Sequence, residues 1–399
     1  QSLLCNGGLQ FSKGVRIMRK LLLSLLFTSN FLLAQSFVPN APDLNLKSYI
    51  LIEPTTNTVI AESNSNGLVE PASMTKVMTA YVVADQVKNN LISLDDEVLI
   101  SEKAWKMGGS RMFIEVGKRV TIRDLMKGII IQSGNDASVA IAEYVGGTED
   151  GFVDLMNAYA NSLGMNDTFF VNSTGLPAEG HLTSANDLAI LTSNFINKFP
   201  EIYAFFKEKE FEYGGISGNK FNRNKLLWRD ESADGVKTGH TSSAGYCLIG
   251  SAKRGDMRLI TVVAGSNSAN NSFSDTQRLL EYGFRFYATQ QYFEPNKEYT
   301  TAKVCGGKVD KVSLGVNKNI SITLPRTDFK DVKINYSVKN NIEAPIKIGQ
   351  KIGELNIMSG DEIVLVSDLV AIQDIEQKGI FGRLWDKFVM WLMNLFSNS

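Results

Sequence analysis

Near Glu294-Pro-Asn-Lys297 the spacing of the apolar residues changes, and no one way of packing suits both sides of that change. Ahead of it, apolar side chains recur at helical intervals over 122–131, 137–145, 151–163, 184–197 and 274–288. Beyond it they alternate, as in Ile320-Ser-Ile-Thr-Leu324 and Val332-Lys-Ile-Asn-Tyr-Ser-Val338, and 351–358 and 362–366 continue the theme. A period of 3.6 buries one stripe of a helix, whereas a period of two buries one face of a sheet. The spacing predicts an α+β protein. Its body, over 37–293, has helices clustered on an antiparallel sheet. A small all-β, sandwich-like domain over 297–376 follows, and its roughly 80 residues are enough to fold alone.

The body also has strand-like sequence at both of its ends. Tyr49-Ile-Leu-Ile-Glu53 and Thr58-Val-Ile-Ala-Glu62 read as two strands and a turn. Segments 245–252 and 257–264 read as another pair, joined by Lys253-Arg-Gly-Asp256, where the Arg-Gly-Asp is turn chemistry rather than an adhesion signal. Strands from the two ends have to meet in one sheet to close a core. Between them, Pro71 is predicted to open a helix running to about Val87, because proline suits a first helical turn.

Charge and rare residues narrow the function classes. The 41 Lys and Arg nearly cancel the 42 Asp and Glu, so the basic excess of a nucleic-acid binder is missing. With three cysteines, two histidines, no C-x-x-C and no H-E-x-x-H, no metal site is expected. Cys247 and Cys305 are expected as two buried free thiols.

Both termini read as targeting segments. Met18 is followed by Arg19, Lys20, an apolar run over 21–33 and the small residues Ala34 and Ser36. That is the pattern of a signal peptide over 18–36, with 1–17 as an upstream extension. At the other end, 379–399 places Phe381, Leu384, Trp385, Phe388, Leu392, Leu395 and Phe396 on one helical face. Its length of about 31 Å as a helix and its three charges favour an amphipathic helix lying on a membrane surface over a spanning one. The chain is therefore expected to be exported and held peripherally at the periplasmic face of the inner membrane.

Three short segments carry the chemistry. In Pro71-Ala-Ser-Met-Thr-Lys76, a helix starting at Pro71 puts Ser73 in its first turn and Lys76 on the same face. That is the relation of a nucleophile to its base, provided the lysine is desolvated or set near another cation. In Ser133-Gly-Asn135 a hydroxyl can relay a proton, and an amide can hold a substrate carbonyl or orient Lys76. In Lys237-Thr-Gly239, followed by His240, a strand puts Lys237 and Gly239 on one face. The cation can bind a carboxylate and depress the Lys76 pKa, and Gly239 leaves room for a substrate backbone. The N–H groups of Ser73 and His240 are the natural oxyanion donors. A Ser-His-Asp triad through His240 is disfavoured, since no G-x-S-x-G precedes it. His181 is expected at the surface near a helix start, and Asp136 at a helix N-terminus.

Each triplet alone is common. S-x-x-K, S-D-N (here S-G-N) and K-T-G together, in this order, are the signature of penicillin-binding proteins and class A β-lactamases. From about residue 44 onward the chain resembles the low-molecular-mass penicillin-binding proteins that are D-alanyl-D-alanine carboxypeptidases, of the penicillin-binding protein 5 type. The stretches that carry this are SYILIE from Ser48, PASMTK from Pro71, QSGNDA from Gln132, FNRNKLLW from Phe221, DGVKTGHTSSAGY from Asp234 and MRLI from Met257.

The resemblance implies a β-lactamase/transpeptidase-like catalytic domain. It makes Ser73 the acylated nucleophile, Lys76 its proton acceptor, Ser133 the third active-site residue and Asn135 its companion. Lys237, Thr238, Gly239 and His240 line the substrate strand, and Arg258 is similar to an arginine that helps hold the terminal carboxylate. The implied reaction removes terminal D-Ala from peptidoglycan stems ending in D-Ala-D-Ala through an acyl-enzyme. It needs no cofactor, and β-lactams are the covalent inhibitors. Two departures are the length of 1–17 and a shorter loop at 106–111, beside the site.

Two rivals are weaker. A class A β-lactamase expects an aspartate where Gly134 stands, and an E-x-x-L-N loop that is missing between Asn135 and Lys237. A catalytically silent wall-binding scaffold would have no use for intact Ser73, Lys76, Ser133 and Lys237.

Overall fold

The computed structural model describes residues 38–215 and 220–379, together with Gly382 and Phe388. The expected extension over 1–17, the signal peptide over 18–36 and nearly all of the amphipathic segment over 379–399 lie outside the described residues. The chain divides after Pro39, and the fold described here is that of the unit from Asn40 onward.

The two ends of the body do meet in one sheet. Strands β1 (Ser48–Glu53) and β2 (Thr58–Ser63) form a hairpin. Two short strands, β3 (Glu97–Leu99) and β4 (Arg119–Thr121), pair separately. Strands β5 (Ala233–Thr241), β6 (Gly245–Arg254) and β7 (Met257–Ser266) complete a five-stranded sheet of order β2-β1-β7-β6-β5. All its neighbours are antiparallel; Ile50 faces Val262 and Leu51 faces Thr261. Every residue of β1 is buried, so both faces of the sheet are covered there. Strand β5 is an edge strand, and every second backbone N–H of an edge is left without a sheet partner.

The helices are α1 (Lys76–Lys88), α2 (Glu102–Trp105), α3 (Ile122–Lys127), α4 (Asn135–Gly146), α5 (Glu149–Ser162), α6 (Ala185–Lys198), α7 (Pro200–Tyr203), α8 (Leu226–Arg229) and α9 (Ala269–Phe286). Serine or threonine caps α2, α3, α5, α6 and α9, each side chain accepting from a backbone N–H in the first turn. Helix α1 is the central one. Its run K-V-M-T-A-Y-V-V-A is buried at every position from Lys76 to Ala84, as an all-round apolar helix must be. Tyr81 meets the rings of Tyr159, Phe195 and Phe199 edge-on at 5.0 to 5.8 Å. A lysine that begins such a helix is drawn into the core with it.

Three helical expectations are revised. Pro71 opens a 3-10 turn, Ala72–Thr75, and α1 starts only at Lys76, because Ala72 takes a left-handed φ of 46°. The stretch expected as one helix over 122–131 is α3 followed by a π-helical turn, Gly128–Gln132, that ends on Ser133 at φ 61°. Helix α9 stops at Phe286, and Tyr287 begins strand β8 (Tyr287–Phe293).

Beyond it run β9 (Thr300–Cys305), β10 (Lys311–Gly315), β11 (Ile320–Pro325), β12 (Val332–Val338), β13 (Ile342–Glu343), β14 (Lys351–Ser359) and β15 (Glu362–Ala371). A six-stranded sheet has the order β12-β14-β15-β10-β9-β13, and β8 pairs with β11. Ile322, Leu355 and Ile357 share one apolar cluster, and Leu355 and Ile357, two apart on β14, fall on one face of their strand. A hydrogen-bonded knot joins this part to the first hairpin. The carboxylate of Glu53 accepts from Thr56 N at 2.8 Å and from Thr323 Oγ1 at 3.2 Å. Cys247 is buried, but Cys305 is only half-buried on its edgeward strand, so of the two thiols expected to be buried only Cys247 is.

Candidate active site

The Pro71–Thr75 turn brings Ser73 to the surface of a cleft while α1 carries Lys76 beneath it. The cleft has a volume of about 550 Å³ and is lined by Ser73, Ser133, Thr238, Gly239 and His240. Lys76 is 1% exposed. Its Nζ lies 3.2 Å from Ser73 Oγ, donates to Asn135 Oδ1 at 2.7 Å and donates to the carbonyl oxygen of Thr174. The charge state decides what this geometry can do. A neutral amine has two hydrogens and one lone pair. The two carbonyl oxygens can only accept, so they retain the hydrogens, and the lone pair is left facing the Ser73 hydroxyl. Burial, and then the charges of Lys237 and Arg223, hold the Lys76 ammonium well below the usual lysine range, although Asp136 opposes them.

Ser133 is presented by the π-helical turn and its left-handed residue. Lys237, 2% exposed on β5, donates to Ser133 Oγ at 2.9 Å and to the Thr238 carbonyl at 3.2 Å. Burial first, and then Arg223, push Lys237 down to about 7. Asn135 begins α4, and its Nδ2 donates to the Gly108 carbonyl at 2.8 Å, which fixes the amide so that Oδ1 faces Lys76.

The neighbouring residue Asp136 does hold a helix N-terminus, accepting from Ala137 N, but its main work is elsewhere. Its carboxylate also takes the backbone N–H groups of Met112, Phe113 and Ile114 at 2.8, 2.7 and 3.3 Å. It thereby ties down the loop that brings Ser110 to the cleft.

Some expectations change. Gly239 is needed for the close approach of β5 to the nucleophile's turn: a Cβ there would stand 3.0 Å from the Pro71 carbonyl oxygen and 3.2 Å from Ala72 Cβ. The space assigned to a substrate backbone on that face is occupied by the protein, and only the Gly239 backbone faces the cleft. Arg258 is not brought to the site. It lies on β7, two strands from β5, and its guanidinium pairs with both oxygens of Asp234 at 2.8 Å and with Ser251 Oγ at 2.7 Å. The short M-R-L-I match carried no information about depth in the sheet. His240 lines the cleft and stacks on Tyr246, ring centroids 4.0 Å apart.

His181 is not a surface residue. It is 3% exposed, its Nδ1 accepts from Val171 N at 2.8 Å, and its Nε2 lies 2.8 Å from Thr75 Oγ1. With Nδ1 accepting, Nε2 carries the proton and donates to Thr75, between the nucleophile and its base. Desolvation lowers its pKa to about 4.

Sequence reasoning also passed over Arg223 and the 172–175 turn. Arg223 lines the cleft, and its Nε donates to the Gln132 carbonyl at 2.9 Å. It stands inside the FNRNKLLW stretch, which was noted only as a resemblance. In the turn, Asn172 Oδ1 accepts from Thr174 N and Gly175 N, which aims the Thr174 carbonyl at Lys76. The Asn-Ser-Thr-Gly run is the one signal that could have marked it.

Both parts of the chain are similar to known proteins. Residues 35–268 match the family model described as D-alanyl-D-alanine carboxypeptidase, and residues 287–377 match that described as penicillin-binding protein 5, C-terminal domain. The chain is 39% identical over 369 residues to the D-alanyl-D-alanine carboxypeptidase DacC of Escherichia coli, covering 90% of this chain and 92% of that one. Its fold matches penicillin-binding protein 5 from Haemophilus influenzae with a TM-score of 0.80 at 34% identity, over 85% of this chain and all of that one. It also matches penicillin-binding protein D2 from Listeria monocytogenes in its ampicillin-bound form, with a TM-score of 0.56 at 31% identity, over 62% of this chain and 99% of that one.

Proposed function

The chain belongs to the D-alanyl-D-alanine carboxypeptidase family, and from that membership we propose how its own residues carry the reaction. It is a serine D-Ala-D-Ala carboxypeptidase. Lys76, neutral, takes the proton of Ser73, and Ser73 Oγ attacks the carbonyl carbon of the penultimate D-Ala. The oxyanion rests on the N–H groups of Ser73 and His240, where loss of one such donor typically costs ~10²–10³ in rate. Ser133, hydrogen-bonded to Lys237, hands a proton to the leaving amine. Terminal D-Ala departs, and water hydrolyses the ester.

Asn135 and Thr174 hold the Lys76 amine in register. The terminal carboxylate is met by Arg223 and Thr238, on the Ser133 side of the cleft, with Lys237 supplying positive charge from below. This replaces the role expected for Arg258. β-Lactams acylate Ser73 as mimics of the same peptide, as the ampicillin-bound Listeria relative leads one to expect.

The observation that carries this reading is the approach of Lys76 Nζ to Ser73 Oγ with both of its other partners acceptors only. Intact-mass measurement with penicillin tests it. One adduct is expected on the wild type and none on Ser73→Ala; equal labelling of both would remove Ser73 from the role. Release of D-Ala from a pentapeptide separates the carboxypeptidase from a silent scaffold. Slow loss of the penicillin adduct separates it from a β-lactamase, which would turn over a chromogenic cephalosporin rapidly.

The division of labour is part of the same reading. Residues 37–293 carry the reaction, and 297–376 form a β-domain to which strand β8 is hydrogen-bonded through β11. The segment over 379–399, with its one-sided Phe, Leu and Trp pattern, holds the exported enzyme at the periplasmic face of the inner membrane. Partition of the full chain and of a chain ending at residue 378 between vesicles and buffer tests the anchor; equal partition would remove it.

A further inference from the structure

The cleft carries more positive charge than removal of D-Ala uses. Arg223 and Lys225 both line it, Lys237 lies under its floor as a cation beside the neutral Lys76, and no acidic side chain is among the described residues lining it. The leaving D-Ala brings a single carboxylate, which Arg223 and Thr238 can meet. Lys225 is surplus to that requirement, and it is held in a defined place. Its ammonium sits 4.5 Å from the ring centroid of Trp228 and 5.7 Å from that of Phe221. These are cation–π contacts that orient the ammonium while leaving its hydrogens free to meet an anion. Phe221 lines the cleft and is 51% exposed, with the Lys220 ammonium also 5.2 Å from its ring centroid.

The side of the cleft on which these residues lie follows from Ser133. The group that protonates the leaving amine marks the leaving-group side. Segment 221–225 runs against the chain that leads into Ser133: Arg223 N donates to the Ile131 carbonyl at 3.3 Å and Arg223 Nε to the Gln132 carbonyl at 2.9 Å. Phe221 and Lys225 flank Arg223, so they extend the leaving-group side beyond the point where the terminal carboxylate is held.

We propose that Phe221 and Lys225 form a leaving-group subsite for a D-amino acid whose side chain carries a carboxylate. Phe221 covers the methylene stem of that side chain, and the Lys225 ammonium meets its carboxylate. The substrate class then extends from stems ending in D-alanine to stems ending in an anionic D-residue. The chemistry is unchanged: the Ser73 Oγ–C bond forms as the C–N bond breaks, and the amine leaves with the proton passed through Ser133. Water then supplies one oxygen to the acyl carbon and returns the proton to Ser73, so one water is consumed per amide. The subsite rests on the assignment of Ser73 and Ser133 given above.

The test uses one donor peptide ending in D-Ala followed by D-Ala, D-Leu or D-Glu, with the released amino acid measured. In the wild type, kcat/KM for D-Glu should exceed that for D-Leu by ~5-fold, the size of one partly exposed charge contact. In Lys225→Gln that ratio should fall to about one, whereas Lys225→Arg should keep it. Phe221→Ala should lower both D-Leu and D-Glu release relative to D-Ala. Penicillin labelling of each variant shows whether its centre is folded. A D-Glu to D-Leu ratio near one in the wild type, or one unaltered by Lys225→Gln, overturns the subsite while leaving the carboxypeptidase intact. Loss of D-Ala release and of penicillin labelling in the wild type would overturn the premise instead.

Discussion

Arg223 donates from Nε to the carbonyl oxygen of Gln132 at 2.9 Å, one residue ahead of Ser133, so a permanent cation is fixed beside the two lysines of the site. It lowers the pKa of both, after burial for Lys237 and after burial and Lys237 for Lys76. Lys76 has to be neutral to accept the Ser73 proton, so acylation fails as pH falls through its folded pKa. Lys237 acts as a cation, so binding weakens as pH rises through about 7. The rate of penicillin acylation against pH should therefore be bell-shaped. In Arg223→Gln one positive neighbour is removed, protonated lysine becomes easier to keep, and both limbs should move to higher pH. Arg223→Lys retains the charge and should keep the limbs. A Gln variant with the wild-type profile would mean that Arg223 only binds the carboxylate.

Asp136 makes a second prediction, which concerns the loop it holds. Each of its carboxylate oxygens accepts two backbone N–H groups, from Met112 and Ala137 on one side and from Phe113 and Ile114 on the other. Asp136→Asn turns one of those oxygens into an NH₂ group facing two donors. Leaving such buried groups unpaired costs about 1–3 kcal/mol each, so the urea midpoint should fall clearly. The acylation rate should fall with it, because the freed loop carries Ser110. Wild-type stability in this variant would show that the loop is held by its packing.

His181 predicts a pH dependence of stability rather than of activity. Its folded pKa, lowered by desolvation to about 4, lies below the ordinary histidine value of 6.5. The unfolded chain thus binds a proton between those two values that the folded chain refuses. This contribution to stability is complete above about 6.5 and is lost as pH falls toward about 4, a difference on the order of 3 kcal/mol. Urea midpoints measured from pH 7 down to 4.5 should drop by a component that His181→Gln lacks. Parallel curves for the two proteins would place the acid sensitivity elsewhere.

The parts of this fold that can be read in one dimension are those in which a local pattern determines the outcome. Alternation in 320–324 and 332–338 marked β11 and β12, and the triplets at Ser73, Ser133 and Lys237 marked the floor of the cleft because each is a short-range relation. What escaped depends on distance in space. Nothing in Gly-His181-Leu shows that Phe170 and Thr75 will enclose the ring, 106 residues from Thr75 in sequence. Arg258 and Arg223 look alike as isolated cations; only their places in the fold separate the one paired to Asp234 from the one in the cleft. The break at Ala72 was equally hidden, since alanine ordinarily continues a helix and its left-handed φ is imposed by the residues packed around it.

That imposed turn makes the sharpest structural prediction. Gly175 has a φ of 83°, and a Cβ added to it would stand 1.8 Å from the Ala72 carbonyl oxygen, which is backbone and cannot swing away. Gly175→Ala must therefore displace either the 172–175 turn or the Pro71–Thr75 turn. The first movement withdraws the Thr174 carbonyl from Lys76, freeing the amine to rotate; the second moves Ser73 away from it. Either way the approach of Nζ to Oγ is lost, and a misplacement of ~1 Å can cost 10²-fold in rate. Penicillin acylation of Gly175→Ala should slow by about that factor, and the urea midpoint should drop as well. The neighbouring substitution Gly164→Ala is the control. It has a similar φ of 76°, but nothing lies within 4 Å of its added Cβ, so it strains the backbone without touching the site. If both variants lose stability but acylate equally fast, the two turns move together and the nucleophile does not depend on their contact.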